Sequence, residues 1–240
     1  MSTINWSHYE WNTRQQWGQI HPDKPNCWYD PDALYVDNYG HIHLYTVYEP
    51  KPFDELGLTS KVGVGLISSV HNFRYGTFEI EAKLPRGKGL WPAFWLAPWN
   101  KWPPEIDVLE GYSSRSCWGY FKWDRRAPFS FWDVQTNVHY GEKGNLRSIG
   151  GRSGLLGLKD PSKHFFKYRL EWFPDSIRIF YDEELVREVL DPYVLSQFKD
   201  AEMSVIINNS LVGDYDTNGL TERNFKSSDF EVKHFRYKAF

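Results

Sequence analysis

The sequence predicts an all-β sandwich of two antiparallel sheets, curved to leave a groove across one concave face. Three observations carry this. Short runs of alternating apolar and polar residues recur along the chain, with turn residues between them. Aromatic residues form 18% of the 240 residues, as 12 Trp, 15 Tyr and 16 Phe, and these side chains favour strands. Only Pro192-Tyr193-Val194-Leu195-Ser196-Gln197-Phe198 reads as a helical turn. Many strands and almost no helix leave sheet-on-sheet packing as the way to bury one face of each strand.

The elements follow in order. Ala33–Val36, the turn Asp37-Asn38-Tyr39-Gly40 and His41–Val47 read as a hairpin. Val64–Ser69 reads as a single strand. Thr77–Leu84 alternates strictly and places Glu79, Glu81 and Lys83 on one face, as a solvated charged face would. Strands are also expected at Gln135–Tyr140, Lys167–Trp172, Ser176–Tyr181, Met203–Asn208 and Phe230–Tyr237, with a turn at Phe173-Pro174-Asp175. No repeat, low-complexity segment or linker interrupts the chain, so residues 1–240 are expected to form one domain.

A net charge of −3 argues against a nucleic-acid partner, which would ask for a basic face. No window approaches 18 consecutive apolar residues, so no membrane-spanning helix is expected. Met1-Ser2-Thr3-Ile4-Asn5-Trp6 lacks the charged start and apolar run of a signal peptide. Cys27 and Cys117 leave the question of a disulfide open. No Cys/His spacing resembles a zinc site, and His41 and His43, two apart, are expected to share a strand face.

The chemistry is expected at Glu105-Ile106-Asp107-Val108-Leu109-Glu110. Glu105 and Asp107 are two apart and point the same way in a strand. Glu110, at an odd offset, would face the opposite side, where a buried unpaired carboxylate is costly. One extra residue near Val108-Leu109, a β-bulge, brings all three acids to one groove. Four strand steps of ~3.3 Å then separate the Glu105 and Glu110 backbones by roughly 13 Å. Side chains leaning together shorten that to ~5 Å between carboxyls, the spacing of a retaining glycosidase. Glu105 is expected as an ionised nucleophile. Glu110 is expected as a general acid kept protonated by its anionic neighbours, with Asp107 tuning Glu105 from between them. The three titrate as a coupled set. Clustered carboxylates also bind calcium, but a strand wraps a cation poorly, so no metal or other cofactor is expected to be required.

With these residues in view, the chain resembles glycoside hydrolase family 16. The resemblance lies in Tyr75–Glu79, Gly89-Leu90-Trp91-Pro92-Ala93-Phe94-Trp95-Leu96, Glu105–Glu110, Val138–Gly141 and Tyr168–Trp172, and covers roughly residues 30–240. It implies a β-jelly-roll sandwich of the concanavalin A-like kind and endo-acting, retaining hydrolysis of β-glycans. It also implies a nucleophile at Glu105, an assisting acid at Asp107 and an acid/base at Glu110. The bulged signature resembles the laminarinase, agarase, porphyranase and carrageenase branch. Laminarinases usually carry Gly before the nucleophile, where this chain has Pro104, and Ile207–Gly213 follows their late motif only loosely. The expected substrate is a β-1,3-glucan of the laminarin type, with a β-galactan as the alternative. A non-catalytic carbohydrate binder and a transglycosylase remain open. The implied substrate places the protein outside the cytoplasm, secreted or periplasmic, and it is expected to act as a monomer.

An indole covers the apolar face of a pyranose well, so Trp95 and Trp102, then Trp91, are the expected sugar platforms. His139 is expected to bond near Asp107 or the sugar, and Arg74 and Asn208 to meet sugar hydroxyls. An insertion from Cys117 to Asp133 holds Trp118, Trp123 and Trp132. Its Lys122, Arg125 and Arg126 suit either a solvated loop or sulfate and uronate groups.

Overall fold

The computed structural model describes residues 2–21, 25–87, 89–111, 134–152, 160–212 and 217–240. In chain order the strands begin with β1 (Thr3–Trp6), β2 (Tyr9–Asn12), β3 (Trp28–Tyr29), β4 (Leu34–Val36), β5 (Ile42–Phe53) and β6 (Leu58–Val64). There follow β7 (Leu66–Phe73), β8 (Gly76–Lys83), β9 (Leu90–Ala97), β10 (Glu105–Gly111), β11 (Val134–Glu142) and β12 (Asn145–Arg152). The last are β13 (Phe166–Phe173), β14 (Ser176–Tyr181), β15 (Glu184–Val189), β16 (Met203–Leu211) and β17 (Ser228–Lys238), with one short helix, α1 (Pro192–Ser196), between β15 and β16.

They form two sheets. One runs β1-β2-β7-β16-β9-β10-β11-β12 and the other β15-β14-β13-β8-β17-β5-β6-β3, with β4 pairing β5. Pairing is antiparallel except at β3–β6, which is parallel. The expected sandwich is therefore present. Its core alternates from both sheets: Ile67, Phe94, Leu96, Val138 and Ile207 from the first meet Leu44, Phe78, Ile80, Leu170 and Phe230 from the second. Burying a side chain of this size stabilises by about 1.5–3 kcal/mol.

Local signals hold where the geometry is local. Asp37 Oδ1 accepts the backbone N–H of Tyr39 and His41, closing the β4–β5 hairpin. Asp191 caps α1 by accepting from Tyr193 N and Val194 N, and Pro192 opens the helix. Val64–Ser69 is a correction. It is not one strand: β6 ends in one sheet and β7 begins in the other, with Gly65 at the crossing. A Cβ on Gly65 would lie 2.3 Å from Ala33 O and 2.9 Å from Leu44 Cα, so only glycine lets the chain pass that close. Strands β1, β2, β3, β12 and β15 are additions. In β12, Asn145-Leu-Arg-Ser-Ile-Gly-Gly-Arg152 has too little apolar alternation to read as a strand, and pairing along the whole of β11 makes it one.

Candidate active site

Strand β10 lies in the middle of the first sheet, between β9 and β11. The bulge is present. From Asp107, opposite Asn137, to Glu110, opposite Gln135, β10 takes three steps while β11 takes two. On the other side Asp107 pairs with Trp95 and Leu109 with Phe94, leaving Val108 unmatched. Ile106, Val108 and Leu109 are all fully buried and belong to the core between the sheets. Tyr181 reaches across the sandwich from β14, its hydroxyl 3.0 Å from Val108 O and 3.2 Å from Gln135 O. It serves a carbonyl that the bulge removes from the ladder.

Past the bulge, Glu105, Asp107 and Glu110 all line one cleft of about 680 Å³. Its floor comes from alternate residues of neighbouring strands: Trp91, Ala93, Trp95 and Ala97 of β9, Asn208 and Ser210 of β16, and Asn137 and His139 of β11. Cross-strand pairing sets them in rows, with Glu110, Ala93 and Asn208 in one and Asp107, Trp95 and Ile206 in the next. The small Ala93 leaves open space between the acid/base candidate and the amide.

Among the described residues, neutral N–H donors reach the outer two acids. Trp102 Nε1 donates to Glu105 Oε2 at 2.9 Å. Trp91 Nε1 donates to Glu110 Oε1 at 3.1 Å, and Asn137 Nδ2 donates to Glu110 Oε2. His139 Nε2 stands 3.2 Å from Asp107 Oδ2 and 3.7 Å from Glu105 Oε1. Burial first, and then the charge of Asp107, push the Glu105 carboxyl well above the ordinary carboxylate range, against the pull of His139 and the Trp102 N–H. The expectation that Glu105 rests ionised therefore meets an opposing force from its surroundings. One oxygen each from Glu105 and Asp107 and one nitrogen from His139 lie within 4.8 Å of one another. That donor set falls short of the six to eight oxygens a calcium ion takes.

A strand bearing two Glu and an Asp on one open groove, flanked by indoles, has the parts of a double-displacement glycosidase. The sequence profile of Glycosyl hydrolases family 16 matches residues 46–226. The chain belongs to this family. Within it, the chain is 30% identical over 120 residues to a glucan endo-1,3-beta-glucosidase of Cryptopygus antarcticus, and 31% identical over 122 residues to a beta-glucanase of Rhodothermus marinus. Each match covers 48% of this chain, and they cover 39% and 37% of the relatives. The chain thus spans well under two thirds of the relatives' lengths. Its fold is that of the laminarinase catalytic domain of Thermotoga maritima, with a TM-score of 0.67 at 22% identity, covering 90% of this chain and 83% of the other.

The other expected site residues of this family 16 domain fall as follows. Trp91 and Trp95 line the cleft half-buried, Trp95 donating to Asn208 Oδ1 at 2.8 Å. Asn208 also donates to Ser210 Oγ at 2.9 Å, so its amide is oriented from two sides. Trp102 stands at the rim, 41% exposed. Arg74 does not line the cleft. It lies in a separate depression with Asn12, Arg14 and Lys101, which meets the cleft at Pro98 and Trp99. The reason is its position in the turn between β7 and β8, at the end of the strands rather than on their groove face. The insertion Cys117–Asp133, with Trp118, Lys122, Trp123, Arg125, Arg126 and Trp132, lies outside the described residues.

Two further contributions are missing from the sequence-based expectations. Asn137 is two residues from His139, so the same-face rule would find it. The N-terminal wall, Gln15, Gln16, Trp17, His21, Asn26, Cys27 and Tyr29, carries no such signal. This irregular segment leaves the first sheet at β2 and joins the second at β3. It is fixed by long-range bonds, among them Ser68 Oγ to Arg14 O at 2.8 Å and Asn26 Nδ2 to Val212 O.

Proposed function

We propose that this domain is an endo-acting β-glucanase that cleaves internal bonds of a β-1,3-glucan of the laminarin type with retention of configuration. The observation that carries the reading is the bulge of β10, which sets Glu105, Asp107 and Glu110 along one cleft floored by Trp91 and Trp95. Family membership and the named activities of the relatives support it. In the first step the Glu105 carboxylate attacks the anomeric carbon. The glycosidic C–O bond breaks, and the leaving oxygen takes the proton of Glu110. Asp107 accepts the proton that would otherwise hold Glu105 neutral, with His139 beside it. In the second step a water attacks the same carbon and gives its proton to Glu110. The ester to Glu105 breaks and frees the sugar with its β-configuration.

The lining favours a neutral polymer over a sulfated galactan. Among the described residues of the cleft, three are carboxylates and Lys143 is the one Lys or Arg. No helix of the described residues is long and apolar enough to cross a membrane. The acid set comes from one strand of one chain, which supports action as a monomer; light scattering should return the mass of a single chain. We place the action outside the cytoplasm, where such polymers are met, and fractionation of the native cell tests that. The decisive assay incubates the protein with laminarin, mixed-linkage glucan, agar, porphyran and carrageenan. Reducing ends should rise most on laminarin, and NMR should show the β-anomer first. Activity confined to a galactan, or an initial α-anomer, would overturn the substrate or the mechanism respectively.

A further inference from the structure

Gly150 stands where no backbone requirement puts a glycine. Its φ lies outside the left-handed region, unlike that of its neighbour Gly151 at +146°. What excludes a side chain is space. Gly150 sits directly opposite Asn137 on the β11–β12 ladder. A Cβ there would lie 1.6 Å from Asn137 Oδ1 and 2.7 Å from Asn137 Cγ. The Asn137 side chain therefore lies flat over Gly150, in the volume that any other residue would fill. From that position its Nδ2 donates to Glu110 Oε2, while Trp91 Nε1 reaches Glu110 Oε1 from the other side at 3.1 Å.

We infer that Asn137 and Gly150 form a positioning pair for the acid/base: Gly150 supplies the seat, and Asn137 holds the Glu110 carboxyl in the orientation from which it protonates the departing sugar oxygen. The inference rests on the glucanase reading above and adds two residues to it. Glu110 comes after a bulge, where the strand constrains the direction of its side chain less than in a regular ladder. Two neutral N–H groups from flanking strands replace that constraint. A charged donor in either place would favour the anion strongly and impair proton donation, whereas an amide and an indole fix direction at smaller electrostatic bias. Through Gly150 the pair brings β12, the edge strand, to bear on the orientation of Glu110. Asn137 acts through Glu110, and Gly150 acts through Asn137.

The test reads leaving-group dependence, which a merely structural role would not move. Asn137→Leu, Gly150→Ala and the double variant are assayed on laminari-oligosaccharides and on a dinitrophenyl β-laminaribioside. The dinitrophenolate departs without a proton, so kcat/KM on that substrate does not require a correctly aimed acid. Each single variant should lower kcat/KM on the oligosaccharides by roughly 30–100-fold, up to the lower end of what general acid catalysis contributes, since the acid is misaimed and not removed. The loss on the aryl glycoside should be at least tenfold smaller. The double variant should fall no further than about twofold below Asn137→Leu, because both changes remove one interaction. Equal losses on the two substrates, or full additivity in the double variant, would sink the inference. Gly150→Ala also brings its Cβ to 3.0 Å from Thr136 O. If it fails to fold, the half-buried Asn137→Leu carries the leaving-group comparison alone. A wild-type protein inactive on laminari-oligosaccharides would overturn the glucanase reading itself. An active wild type without the leaving-group split would overturn only the pair.

Discussion

Two strands of this molecule carry nearly the same tripeptide. Glu79-Ile80-Glu81 in β8 and Glu105-Ile106-Asp107 in β10 each put two carboxylates on one face and an isoleucine in the core. Across the outer face of the second sheet, Glu79, Glu81 and Glu231 of β8 and β17 each stand beside a Lys or Arg. Glu81 pairs with Lys233, Glu231 with Lys83 and with His41 at 3.0 Å, and Glu79 stands 3.7 Å from Arg236. Burial alone would raise the Glu231 carboxyl, but the bonds from Lys83 and His41 outweigh it and hold it below the ordinary range. Among the described residues the partners in β10 are indoles, an amide and an imidazole, and the Glu105 carboxyl goes up. The same local sequence thus lies beside Lys and Arg in one sheet and beside neutral N–H donors in the other. What differs is the cross-strand neighbour, which is remote in sequence.

The largest test of this contrast is Glu105→Gln. Turnover should fall by on the order of 10⁴-fold or more, as expected when the proposed nucleophile is removed. The same change should raise the melting temperature near neutral pH. The sign follows from linkage: a carboxyl raised in the folded state binds more protons folded than unfolded, so stability falls as pH rises through its unfolded and then its folded pKa. Glu105→Gln removes that penalty, and its advantage over wild type should vanish below the unfolded carboxylate pKa. A variant that melts lower at pH 7 would contradict the upward push of burial and Asp107 on this acid.

A smaller effect is expected for Trp102→Phe, which keeps a ring at the rim and deletes the N–H donated to Glu105. Loss of a donor to the ionised form pushes the carboxyl up further, so the acid limb of kcat/KM should move to higher pH. Turnover at the optimum should fall roughly tenfold, the scale of one hydrogen bond to a charged group. An unmoved acid limb would mean that the indole serves only as a platform.

The smallest effect belongs to the opposite sheet. Glu231→Gln should leave kcat/KM on laminarin within twofold. It should lower stability by about 1 kcal/mol, since partly exposed pairs are screened. Here the folded-state pKa is depressed, so the wild-type advantage is present above the unfolded pKa and disappears as pH falls through the folded one. Melting curves across that range check it, and a loss that persisted in acid would point to packing instead of charge.

Much of the site is legible in the amino-acid sequence. The odd spacing of Glu110 forces a bulge, because the alternative buries a lone carboxylate, and the register of β10 against both neighbours contains that bulge. Trp91 and Trp95, four apart in one strand, come to one face for the same period-two reason. The sequence is silent where contacts are distant. Nothing near Tyr181 says that its hydroxyl will serve the bulge 73 residues earlier. Nothing around Gln15 to Tyr29 marks a cleft wall, since an irregular crossover has no period to detect. Val64–Ser69 reads as one strand because an apolar run looks the same whether it stays in one sheet or passes between two.

The sequence by itself determined the elements whose rule is short-range. These are the alternating strands, the turn at Asp37–Gly40, the helical turn opened by Pro192 and the acid spacing that demands a bulge. All follow from backbone geometry over a few residues. Only the tertiary structure decided which acids met cations and which met indoles, and where the chain changed sheets at Gly65. It also decided that an amide on β11 would lie over a glycine on β12 to aim Glu110. Each of those outcomes depends on which strands lie side by side, and strand order is set by burying one face of every strand at once.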